Sequence, residues 1–130
     1  MSILHILLTG ATGKFGKVLT KHLIEKGHHV IGTSRTQAKL DDMPAKLGFD
    51  SRRFNKHFEG IEVDLTQPIG YSKICDILEN KGISISCIIH NARSLDYLKT
   101  EPNGVVSAHN FIQEFLVDVV MPYQLSMTLV

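Results

Sequence analysis

The sequence has little cysteine and no excess of charge of either sign. Cys75 and Cys87 form no CxxC pair, so we predict buried, reduced thiols rather than a disulfide or a metal pair. The net charge of +1 argues against a generally basic nucleic-acid binder. The seven histidines show no HxxxH or HExxH spacing, so no metal site is predicted.

Long apolar runs and targeting signals are also missing. The uncharged stretch at residues 119–130 has only 12 residues and contains Pro122, so it is too short to cross a bilayer. The apolar N-terminus has no basic residue before its apolar run and no plain small-residue cleavage site, so we do not predict a signal peptide. We therefore expect a cytoplasmic protein without membrane or nucleic-acid partners. Its 130 residues fit one domain, residues 1–130.

Short apolar runs alternate with segments of helical periodicity along the chain. We predict strands over residues 3–8, 29–33, 58–63 and 83–89, with helices between them and a long last helix capped by Ser107. This alternation predicts right-handed crossovers and a parallel sheet. The fold class is therefore α/β, a doubly wound sheet with helices on both faces. Alternation alone does not choose between the Rossmann-like and flavodoxin-like strand orders.

Three further segments carry specific expectations. The helix predicted from Thr36 to about residue 47 contains Pro44, which we expect to interrupt it. Residues 48–56 show no clear period and are predicted to form a loop. The last helix is apolar nearly all round, so we expect it to be packed on more than one side.

A glycine cluster, TGATGKFG at residues 9–16, lies between the first strand and the first helix. Gly10 tolerates the positive φ of a tight turn, Gly13 lets a pyrophosphate approach the backbone, and Gly16 lets the helix pack closely. The helix N-terminus then offers N–H groups and a partial positive charge to the phosphates. This turn favours dinucleotide binding and the Rossmann-like strand order 3-2-1-4. A P-loop is not predicted, because Phe15 stands where Ser or Thr would hold magnesium.

The end of the second strand bears on the choice of cofactor. An NAD site has an acidic residue there for the ribose hydroxyls, whereas this sequence has Ser34 and Arg35. A guanidinium can bind a 2′-phosphate in a bidentate way, and a carboxylate would repel it. We therefore predict NADP rather than NAD, with Lys14 able to add positive potential. The alternative is that Arg35 is a solvated loop charge.

In this arrangement the sequence resembles the short-chain dehydrogenase/reductase family over essentially its whole length. The glycine turn has the TGxxGxxG spacing more usual in the family's extended, sugar-nucleotide-modifying branch. Asp64 and Leu65 match the position after the third strand at which the family contacts the adenine ring, although an aspartate that caps a turn is the alternative. These matches imply a nicotinamide cofactor.

A second match is the segment His90-Asn91-Ala92-Arg93, which resembles the family's Asn-Asn-Ala-Gly turn after the fourth strand. The resemblance implies that Asn91 braces the sheet and that Ala92 lies against the cofactor. His90 is also typical of the extended branch, so this turn is a hybrid. The residues predicted to bind the cofactor are Gly10, Thr12, Gly13, Lys14, Phe15, Gly16, Ser34, Arg35, Asp64, Leu65, Asn91, Ala92 and Arg93.

The last helix also resembles the family. Residues 117–123 are similar to its Val-Asn-x-x-Gly-Pro-Phe segment, in which the Asn supports a proton-relay water by kinking the helix. Asp118 stands at that position and is the one catalytic candidate, although a charge there needs a partner. The alternative is that Asp118 faces solvent or caps a kink near Pro122.

The family's Tyr-x-x-x-Lys pair has no counterpart in this chain, because none of its three tyrosines is followed by that lysine. We therefore expect the cofactor-binding half of an oxidoreductase for a small carbonyl or alcohol substrate, apparently incomplete at the C-terminus and inactive by itself. Its apolar fourth strand and last helix lead us to expect a homo-oligomer. The alternatives are a sugar-nucleotide epimerase or dehydratase of the extended branch and a non-catalytic nucleotide-binding module.

Overall fold

A four-stranded parallel sheet forms the centre of the computed structural model, which describes residues 2–92 and 101–129. The strands are β1 (His5–Leu8), β2 (His29–Ser34), β3 (Phe58–Glu62) and β4 (Cys87–Ile89). Their order in the sheet is β3-β2-β1-β4. The predicted Rossmann-like order 3-2-1-4 is therefore confirmed.

Six α-helices are found in the described residues. They are α1 (Lys14–Glu25), α2 (Gln37–Leu47), α3 (Ser51–His57), α4 (Ile69–Asn80), α5 (Ala108–Phe115) and α6 (Met121–Leu129). A π-helical turn, Leu116–Val120, joins α5 to α6 without a break. The predicted cap of the last helix is present, because the Ser107 hydroxyl accepts a hydrogen bond of 3.1 Å from the Asn110 amide.

Two apolar cores lie on opposite faces of the sheet, because successive side chains of a strand point to opposite sides. On one face, Leu7 and Ile31 pack with side chains of α4 and α6. On the other face, Leu8 and Val30 pack with side chains of α1, α2 and α3. This double burial explains why β1 is a continuous apolar run rather than an alternating one.

The segment predicted as a loop contains a helix, so that prediction is wrong. The carboxylate of Asp50 caps α3 by accepting a 2.7 Å hydrogen bond from the Arg52 amide. Phe54 is only 2% exposed and stacks on Phe58, with ring centroids 4.6 Å apart. A helix of seven residues is too short to show a period in the sequence, and its burial depends on residues that are distant until the chain folds.

Three other expectations need correction. Pro44 lies inside α2 and does not end it, and the buried Met43 and Leu47 hold the last turns of that helix against the core. β4 pairs with β1 over only three residues, so the predicted strand is too long. Cys75 and Cys87 are free thiols, as predicted, but both are half-buried rather than buried.

The last helix is packed mainly on one side within the described chain. Val117, Met121 and Leu125 are buried against the sheet. The opposite side is exposed; Phe111, for example, is 62% exposed. The expectation of packing on several sides is therefore not met by residues 2–92 and 101–129. In those same residues no helix is long and apolar enough to cross a membrane.

A row of three histidines crosses the amino-terminal edge of the sheet. His5 begins β1, His29 begins β2, and His57 immediately precedes β3. The rings of His5 and His29 stack at 5.0 Å, and those of His29 and His57 are tilted at 5.1 Å. Burial, and then the two neighbouring histidines, lower the pKa of His29 below its ordinary value of 6.5. Adjacent imidazolium charges would repel, so this position favours the neutral ring of His29.

This row predicts that the fold loses stability as the pH falls below about 6.5. The unfolded chain takes up a proton on His29 near the ordinary pKa, whereas the folded chain takes it up only at lower pH. Urea unfolding at about pH 7 and about pH 5 should therefore show a smaller free energy of unfolding at the lower pH.

The matched variants are His29→Gln and His109→Gln, the second of which changes an exposed histidine on α5. His29→Gln should reduce the pH dependence, and His109→Gln should leave it unchanged. Equal pH dependence in the parent and the His29→Gln variant would contradict this assignment.

Candidate functional site

A cleft of about 760 Å³ lies at the carboxyl-terminal edge of the sheet. It forms there because the chain turns away after each parallel strand, and the residues that follow the four strands converge. The cleft brings together all the predicted cofactor-binding residues that the structure describes, and Arg93 lies outside the described residues. Those in the lining are Gly10, Thr12, Gly13, Lys14, Phe15, Gly16, Ser34, Arg35, Asp64, Leu65, Asn91 and Ala92.

The glycine turn between β1 and α1 is tied to the end of β2. Gly10 has φ of 68°, the left-handed conformation for which glycine was predicted. Its amide donates to the Thr33 hydroxyl at 3.2 Å, and the Ala11 amide donates to the Thr33 carbonyl at 2.9 Å. The hydroxyls of Thr12 and Ser34 lie 2.8 Å apart in a further hydrogen bond. The turn is therefore held on the sheet by β2 rather than by its own sequence alone.

The same turn is tied to the end of β4. The buried hydroxyl of Thr9 accepts hydrogen bonds of 3.0 Å from the amides of both Asn91 and Ala92. The Asn91 side chain donates to the Gly10 carbonyl at 3.1 Å. Asn91 thus braces β4 against the turn, which is the arrangement that the resemblance implied.

Two glycines of the turn have different surroundings. A Cβ at Gly16 would lie 2.2 Å from the Gly10 carbonyl oxygen and 2.9 Å from backbone atoms of Ala11. Gly16 is therefore required by the close approach of α1 to its own turn. A Cβ at Gly13 would meet only the Gly10 oxygen, at 3.7 Å. Gly13 is exposed and faces the open side of the cleft, where a ligand could approach its backbone.

The electrostatics of the cleft favour an anion. α1 begins here with Gly13 as its N-cap, no side chain caps it among the described residues, and its first turn has no acidic residue. Its N–H groups and the positive end of its dipole therefore face the cleft. Three cationic side chains, Lys14, Arg35 and Lys39, also line it. A dinucleotide's diphosphate fits this combination of open glycine backbone, helix N-terminus and positive charge.

Asp64 lines the cleft and also caps a turn. Its Oδ1 accepts hydrogen bonds from the amide of Thr66 at 2.9 Å and from the hydroxyl of Thr66 at 2.6 Å. Of the two alternatives drawn from the sequence, the cap of a turn is therefore confirmed, and the contact with an adenine ring stays a prediction. The turn uses one carboxylate oxygen, Oδ1, so the capping does not involve Oδ2.

A smaller cavity of about 130 Å³ adjoins the cleft and shares Leu65, Ala92 and Val117 with it. Asp118 lines this cavity from within the π-helical turn. A π-turn is rare in helices and often occurs at functional sites. Asp118 is exposed there, which agrees with the alternative that it faces solvent, and its part in a proton relay stays a prediction.

His90 lines the same small cavity from the end of β4. Its Nε2 lies 2.8 Å from the Ser126 hydroxyl, so the end of β4 is tied to α6. Burial lowers the pKa of His90 below its ordinary value, which favours the neutral ring. The sequence placed Asp118 and His90 separately, and only the fold brings them to one cavity.

Some lining residues were not predicted from the sequence. These are Thr33, Thr36, Lys39, Val63, Thr66 and Val117. Lys39 could have been suspected, because it lies in the first turn of the helix that follows Arg35. Val117 belongs to the segment 117–123 that resembles the family, but no local pattern showed that its side chain reaches the cleft.

Comparison with known proteins agrees with this geometry. Residues 4–128 match the family model described as short chain dehydrogenase. Serine 3-dehydrogenase from Agrobacterium fabrum is 32% identical over 87 residues, which are 67% of this chain and 32% of that protein. NADP-dependent 3-hydroxy acid dehydrogenase YdfG from Shigella flexneri is 32% identical over 84 residues, 62% of this chain and 34% of that protein. The matches thus cover about a third of these curated relatives.

Solved structures show the same fold. L-Sorbose reductase from Gluconobacter frateurii, described as a complex with NADPH and L-sorbose, aligns with a TM-score of 0.82 and 16% identity. That alignment covers 99% of this chain and 47% of the reductase. A short-chain dehydrogenase from Streptomyces avermitilis aligns with a TM-score of 0.75 and 23% identity, covering 98% of this chain and 43% of that one.

The surroundings of Gly16 and Gly13 predict different changes in stability when one methyl group is added at either position. Gly16→Ala should destabilise the chain by about 1–3 kcal/mol, because backbone atoms of the turn must move. Gly13→Ala is the matched control and should change stability by less than about 1 kcal/mol, since its Cβ enters open space. Urea unfolding of both variants measures the difference. Equal stability of the two variants would show that the turn is not closely packed against α1.

Proposed function

Because this chain belongs to the short-chain dehydrogenase family, we propose that it forms the cofactor-binding part of an NADP-dependent oxidoreductase. The reaction is hydride transfer between NADP(H) and a small carbonyl or alcohol substrate. The observation that carries the proposal is the glycine turn at the N-terminus of α1, open to a large cleft at the carboxyl edge of a parallel sheet. Bound cofactor would supply the hydride, and the chain's residues bind and orient it.

The diphosphate would lie over the turn, against the exposed backbone of Gly13. The N–H groups at the start of α1 would donate to its oxygens. The turn is held in place for this by the Thr33 hydroxyl, which accepts from the Gly10 amide, and by the Asn91 side chain, which donates to the Gly10 carbonyl. A rigid turn costs little conformational entropy when the ligand binds. The adenine would lie toward the third strand, near Asp64 and Leu65.

The preference for NADP rests on charge at the end of β2. Arg35 and Lys39 line the cleft beside Ser34, and Lys14 lines it from α1. The nearby carboxylate of Glu62 accepts a 2.9 Å hydrogen bond from the Gln37 amide, so it caps α2. Lys14, Arg35 and Lys39 give this side of the cleft a positive charge that would attract the 2′-phosphate. Two curated relatives named NADP-dependent, from Shigella flexneri and Haemophilus influenzae, and the reductase described with NADPH support the same choice.

The nicotinamide and substrate would lie toward the smaller cavity. Asp118 and His90 are the titratable groups that line it. Asp118 is a catalytic candidate there as a group that holds a water, and His90 positions α6 through Ser126. The chain spans about a third of the curated relatives that it matches, so the tyrosine and lysine of the family's chemistry are expected outside these 130 residues.

Cofactor choice is tested with Arg35→Asp. Fluorescence titration with NADPH and NADH should show the ratio of the two affinities falling by about 10- to 100-fold in the variant, because a carboxylate repels the 2′-phosphate. Arg52→Asp makes the same charge change on α3, away from the cleft, and should leave the ratio unchanged. An unchanged ratio in Arg35→Asp would assign Arg35 to the solvated surface. Absence of binding by the parent chain to either nucleotide would contradict the proposal itself.

We also propose that the chain forms a homo-oligomer through the exposed side of its last helix. Phe111 and Phe115 stack there at 6.5 Å and are both largely exposed. Exposed apolar patches of this kind mark interfaces. The double variant Phe111→Glu, Phe115→Glu should therefore sediment as a monomer at concentrations at which the parent associates. A parent chain that stays monomeric at high concentration would refute this.

A further inference from the structure

Charge is separated between the two halves of the chain, although the net charge is only +1. Residues 14–57 contain ten Lys and Arg against four Asp and Glu, whereas residues 58–130 contain four against nine. The first of these segments forms α1, α2 and α3, which all cover the same face of the sheet. One layer of the molecule is thus strongly basic, and this separation indicates an acidic partner.

Within that layer a groove of about 410 Å³ runs between α1 and α2. Lys14, Lys17 and Lys21 line it from α1 at positions i, i+3 and i+7, which is one helix face. Lys46 lines it from the last turn of α2. Only Lys14 is shared with the cofactor cleft, so the groove is a second site that extends away from it.

The lysines of α1 occupy positions at which a positive charge destabilises the helix. Lys14 and Lys17 occupy the first turn, where a positive charge is repelled by the helix dipole, and that turn contains no acidic residue. Like charges three or four positions apart cost a further few tenths of a kcal/mol. A bound cofactor would neutralise the charge near Lys14 alone. Lys17 and Lys21 do not line the cofactor cleft. Glu25 lies one helical turn from Lys21, and an anion in the groove would offset the repulsion that remains at Lys17.

The groove is not uniformly polar. Val18 lies between the lysines on α1 and is 64% exposed, and Leu47 lines the groove from α2. A carboxylate, Glu25, stands at its far end. An exposed apolar side chain among lysines suits a ligand that has both acidic and apolar groups. Among the described residues the lining has His22 but no Phe, Tyr or Trp on which a base could stack, so a nucleic-acid strand fits less well.

We propose that this groove binds an acidic protein segment that carries apolar side chains. Its carboxylates pair with Lys17, Lys21 and Lys46, and an apolar side chain covers Val18. The groove lies beside the cofactor cleft and shares Lys14 with it, so the segment would dock next to the bound nucleotide without occupying its site. The assignment does not depend on which nucleotide the cleft takes.

The test uses a fluorescein-labelled peptide of glutamates with a leucine at every fourth position, titrated against the full chain by fluorescence anisotropy. The double variant Lys17→Gln, Lys21→Gln should lose about tenfold in affinity for it, which corresponds to two modest charge contacts. The matched control Lys26→Gln, Lys56→Gln removes two lysines of the same basic layer outside the groove and should lose less than about twofold. NADPH affinity should be the same in both, which separates this result from the cofactor proposal. The thermal unfolding midpoint of Lys17→Gln, Lys21→Gln should be equal to or slightly above that of the parent, because repulsion within α1 is removed.

Several results would overturn the proposal. Equal loss of affinity in the two double variants would mean that the peptide responds to the charge of the layer as a whole. A peptide of glutamates alone that binds as tightly, or tighter binding of tripolyphosphate or a single-stranded oligonucleotide, would make the groove a general polyanion site. Self-association at low salt that disappears in Lys17→Gln, Lys21→Gln would make a second copy of this chain the occupant.

Discussion

The hydroxyl of Thr9 and the hydroxyl and carbonyl of Thr33 hold together the edge of the sheet at which the cleft lies. Thr9 receives two amides from the segment after β4, and Thr33 receives the amides of Gly10 and Ala11. These bonds pair amides of the turn and of the segment after β4, of which that of Ala11 is in a buried residue and the others are in half-buried ones. Because they join three strands at one edge, they also set the position of α1. The open backbone of Gly13 and the cations around the cleft depend on that position.

The helices on the two faces of the sheet contribute different parts of the candidate site. The face under α1, α2 and α3 carries the basic layer and supplies the cations of both the cleft and the lysine groove. The face under α4 and α6 carries the π-turn and the small cavity with Asp118. The cofactor's charged half and its reactive half would therefore be served by separate layers, and the sheet edge between them aligns the two.

Short-range patterns in the sequence were enough to predict much of the sheet and the glycine turn. The continuous apolar run of β1 follows from burial on both faces, and the glycines at 10, 13 and 16 follow from the geometry of a turn between strand and helix. The helix at Ser51–His57 was not predicted, because its stability comes from Phe54. That side chain packs on residues that are distant along the chain and become neighbours only on folding. The continuity of α2 through Pro44 was not predicted for the same reason. Buried neighbours of Pro44 maintain a helix that the local sequence disfavours.

By itself the sequence determined the alternation of strands with helices and the identity of the turn, because each depends on residues that are neighbours in the chain. The strand order was predicted from the kind of turn, and α3 was not predicted. Only the tertiary structure decided that His90 bonds to Ser126, that Lys39 and Val117 line the cleft, and that the lysines of α1 face Lys46 across a groove. Those contacts join segments widely separated in the sequence. Their distances result from how the helices pack on the sheet, which no local pattern of residues encodes.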